Sequence, residues 1–275
     1  MVLKMSAPRI GIIGVGKLGE ALIYGLLRAK VLTPDRLLAS DVSLQRCSHI
    51  SATYNVSCSS DNVHVAGNSQ ALIIAVKPKD VKRVLEGIRG TLTSSHLVVS
   101  VAAGISLNYI ASILGSNVQV VRVMPNMPVL VGEGMTVIAA APNVTRENLA
   151  VAEEIFRSVG KVAFADEKYM DAVTGLSGSG PAYIYFVIEA LTDAGVKVGL
   201  PRELSSLLAT QTTLGAARMV LETGEHPAKL RDMVATPGGV TVEGLAKLEE
   251  GKLRMTFINA VVKATQRSKE LLIAS

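Results

Sequence analysis

The chain has 275 residues, of which 49% are hydrophobic and 19% are charged. That balance excludes a disordered protein, and the length allows one large or two smaller domains. A net charge of +5 would suit nucleic acid, but basic residues are dispersed, aromatic residues make up 4% and tryptophan is absent, so no nucleic-acid partner is expected. No apolar run reaches the ~18 residues of a membrane span, so no membrane partner is expected either.

The N-terminus and the reactive side chains predict a reducing compartment and no metal. Only nine residues precede the first predicted strand at Ile10, which leaves no room for a signal peptide and predicts a cytoplasmic protein. Cys47 and Cys58 are too few and too widely spaced for a metal knuckle or a disulfide scaffold, so two reduced thiols are expected. Metal-ligand spacing is absent among the four histidines, which are His49, His64, His96 and His226.

The segment 10–25, IGIIGVGKLGEALIYG, predicts a strand, a glycine turn and a helix in immediate succession. This order is the context that a dinucleotide-binding GxGxxG motif requires. Gly14 permits the tight turn out of the strand, Gly16 lets the backbone approach a pyrophosphate, and Gly19 lets the helix lie close to the sheet. The N–H groups at the helix start then face the phosphate charge.

Strands alternate with helices from residue 9 to residue 165, which predicts a Rossmann-like, doubly wound parallel sheet in a dinucleotide-binding domain at 1–165. The apolar run 71–76 is typical of a strand buried on both faces, and Pro78 is placed to start the next helix. Ligands bind at the C-terminal ends of the strands in such sheets. The segments at those ends are 40–41, 75–78 and 101–104, and with the glycine turn they predict one cleft.

No strand pattern remains after residue 165, so an all-helical domain is predicted at 166–275. Long helices are predicted at 180–197, 201–222 and 253–272, with a shorter one at 236–249. A helical domain of this size with so much apolar surface is expected to bury part of it against another copy, which predicts an obligate homo-oligomer.

Two stretches of this half combine small residues with hydroxyl groups ahead of a predicted helix. LSGSGPA at 176–182 carries Ser177 and Ser179, and ATPGGVT at 235–241 carries Thr236 and Thr241. Free N–H groups at two helix starts, together with these hydroxyls, would receive a carboxylate. Simple helix capping explains both stretches equally well at this point.

Six segments in this order carry a resemblance: GVGKLG at 14–19, AVKP at 75–78, VAAG at 101–104, VRVMPNMP at 121–128, GLSGSGPAY at 175–183 and TPGGVT at 236–241. Together they resemble the pyrroline-5-carboxylate reductase family over essentially the full chain. The two C-terminal segments are the specific ones, because many dehydrogenases share the glycine motif. The resemblance implies that a reduced nicotinamide cofactor converts 1-pyrroline-5-carboxylate to L-proline, the last step of proline biosynthesis. It also implies interlocked dimers, commonly in rings of five.

The resemblance implies roles for particular residues. The N–H groups of Gly238 and Gly239 and the Thr241 hydroxyl would hold the substrate carboxylate, while Glu225 and Thr236 match positions near the substrate. Thr241 is also the candidate to contact the ring nitrogen. The implied cofactor residues are Gly14, Val15, Gly16, Lys17, Leu18 and Gly19 for the phosphates, Ser40, Asp41 and Asn62 for the adenine ribose, and Ala75, Val76, Lys77, Pro78, Val101, Ala102, Ala103 and Gly104 for the nicotinamide half.

Cofactor choice depends on the residues after the second strand. Asp41 lies where an acid binds a ribose 2′-hydroxyl, which favours NADH. Ser40, with Arg46 a few residues on, would instead hold a 2′-phosphate, which favours NADPH. The family uses both cofactors and often prefers NADPH, so NADPH is the prediction.

Two alternative functions stay open. A 3-hydroxyacid-type dehydrogenase of similar plan places a lysine about one turn into the first long helix of the second domain, whereas no lysine follows Gly180 here until Lys197. In a non-catalytic NADPH-binding sensor, both hydroxyl-rich stretches would be helix caps and Thr241 would be dispensable.

Overall fold

The computed structural model describes residues 8–273. The strands are β1 (Ile10–Ile13), β2 (Leu37–Ser40), β3 (Ser57–Ser59), β4 (Ala71–Ile74), β5 (Leu97–Ser100), β6 (Gln119–Met124), β7 (Gly134–Ala140) and β8 (Gly160–Phe164). The helices are α1 (Lys17–Arg28), α2 (Leu44–Tyr54), α3 (Asn62–Gly67), α4 (Pro78–Ile88), α5 (Leu107–Leu114), α6 (Arg146–Arg157), α7 (Met170–Val173), α8 (Gly180–Lys197), α9 (Arg202–Thr223), α10 (Pro227–Val234), α11 (Val240–Glu250) and α12 (Leu253–Ile273).

The strands form one sheet in the order β3-β2-β1-β4-β5-β6-β7-β8. The prediction of a parallel sheet is confirmed for every neighbouring pair except β6 and β7, which run antiparallel. These two strands are joined through a short 3₁₀ helix, Met127–Val131. That connection lacks the crossover helix that usually joins a parallel pair. The order around β1 and β4 is that of dinucleotide-binding sheets, which place the ligand where the strand order reverses.

Each inner strand supplies side chains to two apolar cores, one on each face of the sheet. Ile10 and Ile12 of β1 belong to one core together with Leu22 of α1, whereas Ile13 belongs to the other. This alternation follows from the two-residue period of a strand. The whole of β4 is buried, which confirms the prediction from its continuous apolar run.

The second half of the chain is helical, as predicted, with three differences in detail. The sequence pattern does not predict α10, and α11 begins at Val240 rather than at 236. Helix α8 begins at Gly180, as predicted, but it continues from α7 through a π-helical turn at Thr174–Gly178, so the free N–H groups expected ahead of it in 176–182 are not found. No helix within residues 8–273 is both long and apolar enough to cross a membrane.

Packing divides the chain into two units, one of Met1–Ser179 with Lys263–Ser275 and the other of Gly180–Val262. The strand pattern ends with β8, close to the predicted boundary at 165. The packing boundary lies later because Met170 of α7 is fully buried in a small core with Val137 and Ala139 of β7.

A buried arginine on β6 and the acidic residue beside it connect α7 and the end of α12 within the first unit. Arg122 Nη1 lies 3.4 Å from Glu167 Oε1, and Nη2 lies 3.7 Å from Asp171 Oδ1. Asp171 Oδ1 also accepts a hydrogen bond of 2.8 Å from the Ser268 hydroxyl. An isolated buried charge would be costly, so the two carboxylates compensate Arg122 while they hold α7 and α12 in place.

Candidate functional site

In the turn after β1, each glycine has the geometry expected for the role that the sequence predicts for it. Gly14 has a φ of 97°, which glycine adopts without strain, and its N–H donates to Ser40 O at 2.8 Å. A side chain at Gly19 would overlap the Gly14 carbonyl oxygen, so this glycine sets how closely α1 approaches the strand. A Cβ placed on Gly16 would meet no heavy atom within 4 Å. The turn therefore leaves an open cradle in front of Gly16.

The peptide groups of Val15 are held from both sides. The Val15 N–H donates to Asp41 Oδ2 at 2.9 Å. The Val15 carbonyl accepts from Arg46 Nε and Nη2 at 3.0 and 2.6 Å. Asp41 Oδ1 accepts the Ser43 N–H at 2.9 Å, just before α2 begins. Both Asp41 oxygens and the Arg46 guanidinium are thus engaged in fixing the loop.

Glu20 on the first turn of α1 extends this network to α2. Arg46 Nη2 lies 2.6 Å from Glu20 Oε2, while His49 Nε2 and the Tyr54 hydroxyl lie 2.8 and 3.1 Å from Oε1. Burial acts to raise the pKa of Glu20, but the hydrogen bonds from Arg46, His49 and Tyr54 outweigh it and lower that pKa. Burial and the bond to Glu20 raise the pKa of Tyr54. Glu20 therefore stays ionised and keeps Arg46 in position.

A cavity of about 210 Å³ lies beside the loop at the ends of β1 and β2. The Ser40 hydroxyl is buried and donates to Asn62 Oδ1 at 2.7 Å. Asp61 caps α3 by accepting the His64 N–H, so the first helical residue is Asn62. The lining residues are Ile13, Gly14, Ser40, Asp41, Val42, Asn62, Val76, Asp80, Arg83 and Val84. Five of the predicted cofactor residues therefore line this cavity, namely Gly14, Ser40, Asp41, Asn62 and Val76.

The segments predicted for the nicotinamide half follow two adjacent strands. The Ala75 N–H donates to Ile13 O at 2.8 Å, and the Val101 N–H donates to Ile74 O at 3.2 Å. Pro78 is the first residue of α4, which confirms its predicted place. Segments 75–78 and 101–104 therefore leave the sheet side by side, at the same edge as the glycine turn.

The stretch 176–182 has a different geometry from the predicted one. The Ser179 N–H donates to Thr174 O at 2.9 Å, and a bond between residues five positions apart is the one that defines a π turn. The hydroxyls of Ser177 and Ser179 donate to Val173 O at 3.2 Å and to Thr174 O at 3.1 Å. These groups are engaged within the helix, and no helix start presents its N–H groups here. Ser177 and Ser179 remain predicted substrate-binding residues, but the free helix start expected beside them is not there to support the prediction.

Two motifs that are distant in the sequence meet at the π turn, which the sequence does not predict. Asn126 Nδ2 donates to Ser177 O at 3.1 Å, and Asn126 Oδ1 accepts the Met135 N–H at 2.9 Å. A Cβ at Gly178 would lie 2.6 Å from Met124 Cε. The MPNMP segment therefore fixes the π turn through one amide side chain and one close contact with a glycine.

The TPGGVT segment forms a tight turn followed by a helix start. The Gly239 N–H donates to Thr236 O at 2.9 Å, and Gly238 has a φ of 71°, as in a type II turn with proline before glycine. Gly239 is the N-cap of α11 and Thr241 lies in its first turn, where N–H groups have no intrahelical acceptor. The helix start predicted here is confirmed, with the Gly239 N–H used in the turn.

Glu225 lies in the loop between α9 and α10. Its Oε1 accepts from Lys229 Nζ at 2.6 Å, and both side chains are largely exposed. The neighbouring His226 caps α10 by accepting the Ala228 N–H at 3.1 Å. These contacts give His226 a structural role and leave the predicted substrate role of Glu225 as a prediction.

The sheet order and the open glycine cradle define the class of dinucleotide-binding oxidoreductases with a Rossmann-like domain. Comparison with protein families agrees. Residues 9–104 match the family model described as NADP oxidoreductase coenzyme F420-dependent. Residues 167–271 match the model described as pyrroline-5-carboxylate reductase dimerisation.

Relatives and solved structures narrow the class to one family. The chain is 46% identical to the pyrroline-5-carboxylate reductase of Methanosarcina acetivorans, over 97% of this chain and 99% of that protein. The Arabidopsis thaliana enzyme is 44% identical, with coverage of 96% and 95%. The Plasmodium falciparum structure, described with NADP bound, has a TM-score of 0.89 at 35% identity and coverage of 98% and 99%. The chain belongs to the pyrroline-5-carboxylate reductase family.

Replacing Gly16 tests the cradle. We expect Gly16→Val to fold, because space is open at that position, and to weaken binding of NADPH at least about a hundredfold by blocking the phosphates. Fluorescence titration measures the affinity, and circular dichroism checks the fold. Gly87→Val is the matched control, since Gly87 is an exposed glycine of α4 with equal space around it. Unchanged affinity in Gly16→Val would contradict the phosphate role.

Replacing Arg46 separates loop support from 2′-phosphate binding. Arg46→Met removes the bonds to the Val15 carbonyl, so we expect affinities for NADPH and NADH to fall by the same factor, on the order of tenfold. Arg157→Met is the control, because it removes an exposed arginine–glutamate pair on α6. A loss confined to NADPH would assign Arg46 to the 2′-phosphate instead.

Proposed function

We propose that this protein reduces the C=N bond of 1-pyrroline-5-carboxylate to L-proline with NADPH as the preferred cofactor. Membership of the family over nearly the whole chain carries this proposal. The cradle in front of Gly16 supports it, because a side chain there would fill the space that a pyrophosphate needs. The reduced nicotinamide, when bound, supplies the hydride that the imine carbon accepts.

The cofactor side is assigned to the loop and to the strand ends. The N–H groups of Lys17, Leu18 and Gly19 lie in the first turn of α1, whose positive end attracts phosphate. Ser40 and Asn62 would border the adenine ribose, and segments 75–78 and 101–104 would line the nicotinamide half. Asp41 would contribute through the Val15 N–H that it holds.

The proposed preference for NADPH depends on which groups near Asp41 can bind the 2′-hydroxyl or the 2′-phosphate of the cofactor's adenine ribose. Both Asp41 oxygens already accept backbone N–H groups, which holds this carboxylate on the loop and leaves fewer acceptor sites for a ribose 2′-hydroxyl. Arg83 lines the same cavity with a largely exposed side chain and pairs with Asp80 at 3.1 Å. An exposed guanidinium is well suited to a phosphate. The relative from Plasmodium falciparum is described with NADP bound.

The substrate carboxylate is assigned to the TPGGVT turn, with the Gly238 N–H and the Thr241 hydroxyl as donors. Gly239, whose N–H donates to Thr236 O, would shape the turn beside the carboxylate. Glu225 and Thr236 complete the proposed set. A protonated imine is already electrophilic, so these groups mainly need to orient the substrate and exclude water. Thr241 would contact the ring nitrogen or the carboxylate.

The direct test follows the absorbance of the reduced nicotinamide while the purified protein acts on pyrroline-5-carboxylate, with NADPH and NADH in parallel. We expect turnover with both and a higher kcat/KM with NADPH. Proline identified as the product supports the proposal. Binding of NADPH without turnover would support the sensor alternative, and turnover of a 3-hydroxyacid with NADP⁺ would support the dehydrogenase.

Thr241 tests the substrate assignment. Thr241→Ala should lower kcat/KM for the imine on the order of tenfold to a hundredfold and leave NADPH affinity unchanged, because one oriented donor is lost. Thr241→Ser should restore most of the activity. Thr256→Ala, in which an exposed threonine of α12 is removed, serves as the control. Normal kinetics in Thr241→Ala would remove this residue from the site.

The helical unit supports an oligomer, which we propose to be a dimer assembled into a ring of five dimers in the cytoplasm. Phe186 of α8 and Leu207 and Leu221 of α9 are 71%, 65% and 77% exposed, and apolar groups this exposed mark association surfaces when clustered. Light scattering should give ten chain masses. A mass of two chains would support the dimer but refute the ring, and a mass of one chain would refute both.

A further inference from the structure

The fold brings the two cysteines of the chain into contact. Cys47 lies on α2 and Cys58 on β3, and their Sγ atoms are 2.6 Å apart as free thiols. Cys47 is buried, whereas Cys58 is partly exposed. Their separation in the sequence gives no sign of this contact, because it arises from the packing of α2 on the edge of the sheet.

We propose that Cys47 and Cys58 form a redox modification site, where a low-molecular-weight disulfide oxidises both thiols to one intramolecular disulfide that weakens cofactor binding. The sulfur atoms, 2.6 Å apart, need to approach by about half an ångström to reach the S–S bond length of ~2.05 Å. The part of the proposal that concerns the cofactor rests on the proposed function; the disulfide itself does not.

The oxidation proceeds by two exchanges that balance. The Cys58 thiol releases its proton to solvent and attacks one sulfur of the small disulfide, forming a mixed disulfide and releasing one small thiolate. Cys47 then loses its proton and attacks the Cys58 sulfur, which expels the second small thiolate. The protein loses two hydrogens, the small disulfide is reduced to two thiols, and the two released protons neutralise the two thiolates.

The difference in exposure between the two thiols determines which one reacts first, and their burial slows the reaction. Cys58 is the sulfur that an external reagent reaches, and buried Cys47 is placed to resolve the adduct. Burial, the hydrogen bond to Cys47 and the Cys47 and Asp41 charges raise the pKa of the Cys58 thiol, so little thiolate is present at neutral pH. The site therefore responds to prolonged oxidising conditions rather than to brief ones.

The pair lies directly behind the residues that hold the glycine loop. The Cys47 Sγ donates to Ser59 O at 3.2 Å and lies 3.7 Å from Asp41 O. The Asp41 N–H donates to the same Ser59 O at 3.1 Å. Cys47 also follows Arg46, whose guanidinium holds the Val15 carbonyl. A disulfide removes the Cys47 donor and draws α2 toward β3, which disturbs Asp41 and Arg46 together.

The test uses the full chain incubated with glutathione disulfide, followed by alkylation and mass spectrometry. Since the chain has only two cysteines, we expect loss of both thiols with no retained glutathione, and full recovery with dithiothreitol. Cys47→Ser should instead retain one glutathione on Cys58, because the resolving thiol is missing. A stable adduct on wild-type Cys58, a link between chains, or two intact thiols after prolonged exposure would overturn the proposal.

The cofactor arm measures the Kd for NADPH before and after oxidation. We expect the Kd to rise on the order of tenfold in the oxidised wild type and to return after reduction, while the same treatment leaves Cys58→Ser unchanged. A disulfide that forms without altering the Kd would overturn the link to the cofactor. Failure of the reduced protein to bind NADPH would instead contradict the proposed function and leave the thiol result intact.

Discussion

The glycine loop must present bare backbone to a ligand while remaining in one conformation, and the hydrogen bonds on Val15 meet both needs. Asp41 accepts the Val15 N–H and Arg46 donates to the Val15 carbonyl. The two glycines of the loop make no side-chain contacts and only Val15 is buried in the core, so the rest of the order must come from neighbouring elements. Here the end of β2 and the first turn of α2 supply it, with Glu20 of α1 completing the network.

This arrangement changes the roles of the charged residues around the loop. An acid and an arginine next to a nucleotide pocket are usually interpreted as ligand contacts, and Asp41 and Arg46 occupy such positions. In the structure Asp41 accepts the Val15 N–H, whereas Arg46 donates to the Val15 carbonyl and pairs with Glu20. Asn62 and Arg83 line the same cavity as Asp41, and Arg83 is the exposed cation that we propose for a 2′-phosphate.

The helical half uses backbone geometry in a similar way. The turn before α11 combines a proline and two glycines, so that the helix start is reached without bulky side chains. The π turn near Ser177 is held by Asn126 through a side-chain amide. Reduction of an already electrophilic imine needs orientation more than strong acid catalysis, which agrees with the amide and hydroxyl groups that we propose for the substrate site.

The sequence alone determined the features that depend on local chemistry. The strand–glycine–helix order, the buried β4, the Pro78 start and the helical second half follow from apolar periodicity, glycine and proline, which act over a few residues. Tertiary structure decided the rest: the antiparallel β7, the π turn ahead of α8, the engagement of Asp41 and Arg46, and the contact between Cys47 and Cys58. Each of these depends on contacts between different secondary-structure elements, whose distances are set only when the elements pack.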